Sequence, residues 1–100
     1  MEITIVKGKE LFDIIQHINL LKVKFGVDEI WAVAPVLYAT EDTIDIIVNP
    51  GNDLFSIDIG EKVILKFQKA GNEFLVSGEI TNMHTGSPAS ITVQYTIAQK

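Results

Sequence analysis

Two histidines, four serines and thirteen acidic side chains carry most of the reactive chemistry that this 100-residue chain has to offer. His17 and His84 come first, because imidazole is the commonest metal ligand and the usual proton shuttle near neutral pH. A zinc or iron site needs several ligands converging at characteristic spacing. The two histidines stand far apart in the chain, and each reads as a surface residue. Ser56, Ser77, Ser87 and Ser90 lie in no Gly-x-Ser-x-Gly elbow, the turn that exposes a nucleophilic serine. The adjacent acids Asp28-Glu29 and Glu41-Asp42 would point to opposite faces of a strand and fall at turns, where carboxylates bond to the local backbone. Asn49 to Asp53 is rich in oxygen but lacks the spacing of a calcium loop. No Gly-x-Gly-x-x-Gly or phosphate-loop motif occurs, and the absence of cysteine excludes disulfides and thiolate metal sites. The expectation is a non-enzyme, with no catalytic, cofactor-binding or metal residue and no cofactor.

Charge narrows the partners. The net charge is −5, with eight lysines and no arginine. Arginine is the side chain that grips phosphate and guanine edges with two parallel bonds. Between Lys24 and Lys62 no basic residue occurs, while eight acids fall there, from Asp28 to Glu61. A nucleic-acid surface needs the opposite balance, so no nucleic-acid partner is expected. The acids read as the solvated strand faces and turns of a soluble β protein.

These side chains must be positioned by elements that the apolar pattern delimits. Ile3 and Ile5 alternate with Glu2 and Thr4 as a short strand. A helix is then expected from about Lys9 to Val23, because Leu11, Ile14, Ile15, Ile18 and Leu21 recur at steps of three and four. Glu10 would lie in its first turn, Lys22 and Lys24 in its last, as the helix dipole prefers, and Gly26 would end it. Leu20 does not fit that stripe. A regular helix points it toward Asp13 and Gln16, as an early helix end, a singly exposed leucine or a partner contact.

Past Gly26 the period changes to two. Ile30 to Ala39 is an apolar strand interrupted by Pro35, which cannot donate to a ladder and so marks a bulge or an edge. Ile44, Ile46 and Val48 form the next inward row. Asn49-Pro50-Gly51-Asn52 is a turn signal, and Phe55, Ile57 and Ile59 alternate with Ser56 and Asp58. Val63, Leu65 and Phe67 face one way, with Lys62, Lys66 and Gln68 on the other. Ala70-Gly71-Asn72 makes a hairpin loop. Phe74, Val76, Gly78 and Ile80 follow, Gly78 marking a bulge or a close backbone approach. Ile91, Val93, Tyr95 and Ile97 form the last inward row.

Six or seven short strands, mostly antiparallel, predict a β-rich α+β fold: a small antiparallel barrel or sandwich with the amphipathic helix capping one end. Residues 1–100 read as one domain, at the usual size. No apolar run reaches the ~20 residues that cross a bilayer, and the charged N-terminus does not read as a signal peptide. A cytoplasmic protein without a membrane partner is expected.

The stretch from Pro50 to Phe67, with its Gly60-Glu61-Lys62-Val63-Ile64-Leu65-Lys66-Phe67 strand, resembles the N-terminal split-barrel domain of PilZ-type flagellar brake proteins. The hairpin Glu73-Phe74-Leu75-Val76-Ser77-Gly78-Glu79-Ile80 is similar to the same family, and the likeness runs from about Ala34 to Ile80. It implies a regulatory or protein-contacting half of a cyclic-di-GMP responsive protein. That family's nucleotide site needs an Arg-x-x-x-Arg segment and an Asp/Asn-x-Ser-x-x-Gly strand, and this chain has neither. The resemblance therefore implies a cyclic dinucleotide only through a segment outside this chain. Glu73 to Glu79 is also similar to the later strands of the flavin-binding pyridoxamine-phosphate-oxidase-like split barrels, which hold the flavin phosphate with basic side chains and backbone amides. The basic gap between Lys24 and Lys62 argues against that resemblance.

The functional expectation is a non-catalytic binding or regulatory module working through protein contacts, with a protein partner or self-association. Leu20 and the sheet edge at Pro35 are the expected protein contacts. The rivals are a dimeric flavin-binding oxidoreductase and a structural assembly component.

Overall fold

The alternation of apolar and polar side chains closes on itself in space. The computed structural model describes residues 5–26, 31–48, 58–86 and 88–99. Its elements are β1 (Ile5–Val6), α1 (Gly8–Ile15), β2 (Leu20–Phe25), β3 (Ala32–Ala39), β4 (Thr43–Ile47), β5 (Lys62–Lys69), β6 (Asn72–His84) and β7 (Ser90–Gln99). The strands run β7-β4-β3-β2-β5-β6, and a β6–β7 pairing closes the ring. β1 adds to β7 beyond the end of β4, through Ile5↔Gln99 and Val6↔Ala98. Every pairing is antiparallel. The fold is the expected small antiparallel barrel of six strands, with one further strand and one short helix. The expected turn at 49–52 and the strand residues Phe55 and Ile57 lie outside the described residues.

Closure gathers one row of each strand into a single core. Val23, Ile44, Ile46, Val63, Leu65, Val76, Ile80, Ile91 and Val93 are almost wholly buried, and Leu11 and Ile15 of α1 join them at one end. β-Branched residues dominate because they pack well on a pleated surface and lose little side-chain freedom there. At the β5–β6 hairpin the Phe67 and Phe74 rings stack, with centroids 5.3 Å apart. The loop between them puts Ala70 and Gly71 at φ of 53° and 80°, the doubly left-handed turn whose twist matches the flanking strands.

The helix is shorter than the spacing predicts. It ends at Ile15, and Leu20–Phe25 is a strand with Leu21, Val23 and Phe25 inward. Leu21 continues the helical stripe from Ile18 and also opens the two-residue row of Val23 and Phe25, so the helical stripe overruns. The tie is broken by pairing on both sides, to β3 through Leu20↔Pro35 to Val23↔Ala32 and to β5 through Lys22↔Lys66 to Phe25↔Val63. Lys22 and Lys24 therefore do not serve the helix C-terminus. Lys69 of β5 does, its ammonium donating to the Asp13 and Ile14 carbonyls at 3.5 and 3.3 Å.

Two irregularities fall where the sequence marks them. The Val36 amide donates to the Asn19 carbonyl at 2.8 Å, so the nitrogen of Pro35 faces away from β2. It points toward β4 at the end of that ladder, whose register pairs begin at Val36↔Ile46, so the missing donor falls where the pairing stops. A register shift between Val36 and Tyr38 then turns both Leu37 and Tyr38 outward. At Gly78 the β6–β7 register also shifts. A Cβ there would sit 2.5 Å from Val93 Cγ1 and 2.7 Å from the Gln94 carbonyl oxygen, so this seam of the barrel needs a residue without a side chain.

Candidate functional site

Barrel formation brings together lysines that the sequence keeps apart. On β2, Leu20, Lys22 and Lys24 alternate with the buried Leu21, Val23 and Phe25. On β5, Lys62, Ile64 and Lys66 alternate with Val63, Leu65 and Phe67. Pairing β2 with β5 sets Lys22 opposite Lys66 and Lys24 opposite Ile64. The acid-rich stretch between Lys24 and Lys62, with no basic residue of its own, is thus bridged in space, and four of the eight lysines share one outer face.

Trp31, just before β3, supplies the centre of that face. The Lys66 ammonium lies 4.3 Å from the centre of its ring and the Lys24 ammonium 5.6 Å. The negative face of an indole attracts such cations. Like charges placed directly opposite on a sheet repel, so the ring offsets part of the cost of setting Lys66 against Lys22. Beside it runs a groove of about 350 Å³, lined by Leu20, Lys22, Val33, Lys66, Gln68 and Glu73. The groove itself offers apolar Leu20 and Val33, the ammonium groups of Lys22 and Lys66 and the carboxylate of Glu73, and Lys66 joins it to the Trp31 ring alongside, a setting that suits a flat ring carrying an anionic group. Trp31 has no part in the chemistry legible from sequence motifs. The available signal is the even spacing of Lys22 with Lys24 and of Lys62 with Lys66, which puts each pair on an outward row.

The opposite flank is acidic and differently built. Asp45 faces Tyr38 across β3–β4 and accepts a 2.6 Å bond from the Thr92 hydroxyl. The Tyr95 hydroxyl donates to the Thr43 carbonyl at 3.0 Å. Burial pushes the Tyr95 phenol well above its ordinary range, and the carboxylates of Asp42 and Asp45 add to that shift. Thr40 ties the β3–β4 turn, its hydroxyl accepting from the amides of Thr43 and Asp42 at 2.9 and 3.2 Å.

The other candidates stay dispersed. His17 is exposed just past the helix. His84 is exposed at the end of β6, opposite Ser90, with its Nε2 3.3 Å from the Asn82 amide nitrogen. No three metal-ligating side chains converge among the described residues. Ser77 is a half-buried residue of β6, while Ser56 and Ser87 lie outside the described residues. Among those residues no helix is long and apolar enough to cross a membrane. Leu20 and Pro35, the expected contact residues, prove to be cross-strand neighbours, both exposed on the outer face.

Neither the protein-family models nor the curated proteins contain a match to this chain. Among solved structures the chain is similar to the FAD binding protein from Mycobacterium smegmatis. The TM-score is 0.68 at 16% sequence identity, over 98% of this chain and 97% of that one. At that identity the likeness is one of fold.

Proposed function

We propose that this chain is a non-catalytic binding module whose ligand is a flavin nucleotide, its ring system against Trp31 and its phosphate among Lys22, Lys24, Lys62 and Lys66. The observation that carries this reading is the pair of ammonium groups over the Trp31 ring beside an apolar-floored groove. A planar heteroaromatic ring stacks on indole. A phosphate relieves the repulsion between the facing lysines. Lysine is a point charge on a flexible stem, so its ammonium can swing from the ring to an incoming phosphate without movement of the backbone. A groove of about 350 Å³ is at the small end for ligand pockets, large enough for the rings and leaving the phosphate on the open lysine face. That the fold neighbour is named for FAD binding adds support. No catalytic residue is assigned, because the chemistry of a bound flavin belongs to the cofactor and the groove accounts for its binding alone.

The test is a titration of the full chain with FMN and FAD, followed by fluorescence of Trp31, the only tryptophan. Saturable quenching is expected, weakening as salt screens the lysines. Trp31→Ala and Lys24→Glu/Lys66→Glu should each weaken flavin binding at least tenfold, read from the flavin's own fluorescence. Absence of binding by the wild-type chain at millimolar flavin would sink the reading. Tighter binding of cyclic-di-GMP than of either flavin would replace the flavin by that dinucleotide at the same face.

A further inference from the structure

The outer face of β3 continues away from Trp31 as an apolar strip. Val33 is 65% exposed and Tyr38 66%, with Leu37 and Pro35 also outward, and Leu20, opposite Pro35, is 59% exposed. Five neighbouring apolar side chains left outward on one face make the kind of patch that marks an interaction site. The ends of the strip differ in sign. Lys24 and Lys66 flank Trp31 at one end. Glu41 and Asp42 are exposed in the turn at the other, where Asp45 stands beside Tyr38.

A strip that is apolar in the middle and oppositely charged at its ends is complementary to itself. Rotation about a two-fold axis near Pro35 lays the apolar centres together and sets each basic end against the other's acidic end. We infer that a second copy of this chain docks here, β3 antiparallel to β3, in the isologous contact of a cyclic dimer. A different protein would need to match both ends independently, whereas a second copy does so by symmetry. This inference goes beyond the ligand reading and is tested without flavin.

Sedimentation equilibrium of the flavin-free full chain should show a reversible dimer at micromolar concentration. Two charge-swapped variants then test the geometry, Glu41→Lys/Asp42→Lys and Lys24→Glu/Lys66→Glu, each checked for folding by circular dichroism. Each alone sets like charges together at both ends of the strip, and its dimer dissociation constant should rise at least tenfold. An equimolar mixture restores opposite charges at both ends, so a heterodimer should reappear with near wild-type affinity. A wild-type chain that stays monomeric at several hundred micromolar would overturn the inference. So would swapped variants that self-associate as well as wild type, or a mixture that fails to recover.

Discussion

The basic and acidic flanks of the barrel are made from the same kind of strand, yet their polar groups are held in opposite ways. On the acidic flank each key group has an internal partner: Asp45 accepts from Thr92, Tyr95 donates to Thr43, and Thr40 ties its own turn. On the basic flank Lys22 faces Lys66, and the aromatic ring of Trp31 is the compensation the structure offers to the latter. A polar network closed on itself stabilises the fold and has little left to give a ligand. A like-charged pair that leans on an indole is poised for an anion. Local conflicts of this kind tend to fall at functional positions.

The comparison can be broken most severely at what both flanks share. Gly78→Ala pushes a methyl group into Val93 and the Gln94 backbone, and it should destabilise the barrel by about 2–4 kcal/mol in urea titrations. Both flanks should then be lost in one transition. Next comes Lys66→Glu, expected to weaken FMN binding about tenfold while shifting stability by less than ~0.5 kcal/mol. A comparable loss of stability would mean that the basic flank is structural as well. Asp45→Asn supplies the converse: it weakens the bond from Thr92 and should cost about 1 kcal/mol, with FMN affinity unchanged.

Tyr95 gives a pH signature to the acidic flank alone. In the unfolded chain its phenol ionises near the ordinary value of ~10. In the folded chain burial, with Asp42 and Asp45 beside it, holds the proton to higher pH. Its contribution is therefore complete below about pH 10 and declines as pH rises beyond, where only the unfolded form releases the proton. Tyr95→Phe should show a shallower fall than wild type in denaturant midpoints measured across that range. The smallest expected effect joins the two proposals. Phosphate and partner carboxylates draw on the same lysines, so saturating FMN should shift the dimer toward monomer by a few-fold, read by sedimentation.

Much of the barrel is legible residue by residue. The inward rows Val63-Leu65-Phe67 and Phe74-Val76-Gly78-Ile80 stand as the two-residue period requires, and the Ala70-Gly71 loop and the Gly78 irregularity fall where the residue types put them. The predicted helix from Lys9 to Val23 overran because Leu21 fits both the helical stripe and the alternating row of Val23 and Phe25, and local pattern contains no term for neighbouring strands. Leu20, out of place on a helix, was the visible sign of that error: it is an outward residue of β2, next to Pro35 across the ladder. The site was hidden for a related reason. Lys24 and Lys62 enclose a long acidic stretch in the chain, and only the β2–β5 register makes the lysines on either side of it neighbours.

The sequence by itself determined that strands would wrap one apolar interior, because burial follows the alternation of side-chain type and needs no knowledge of which strands meet. Tertiary structure alone decided where the charges go. Strand order and register converted a segregation along the chain into a basic face around Trp31 and an acidic face around Tyr38 and Tyr95, since pairing joins side chains by position across a ladder and not by distance in sequence.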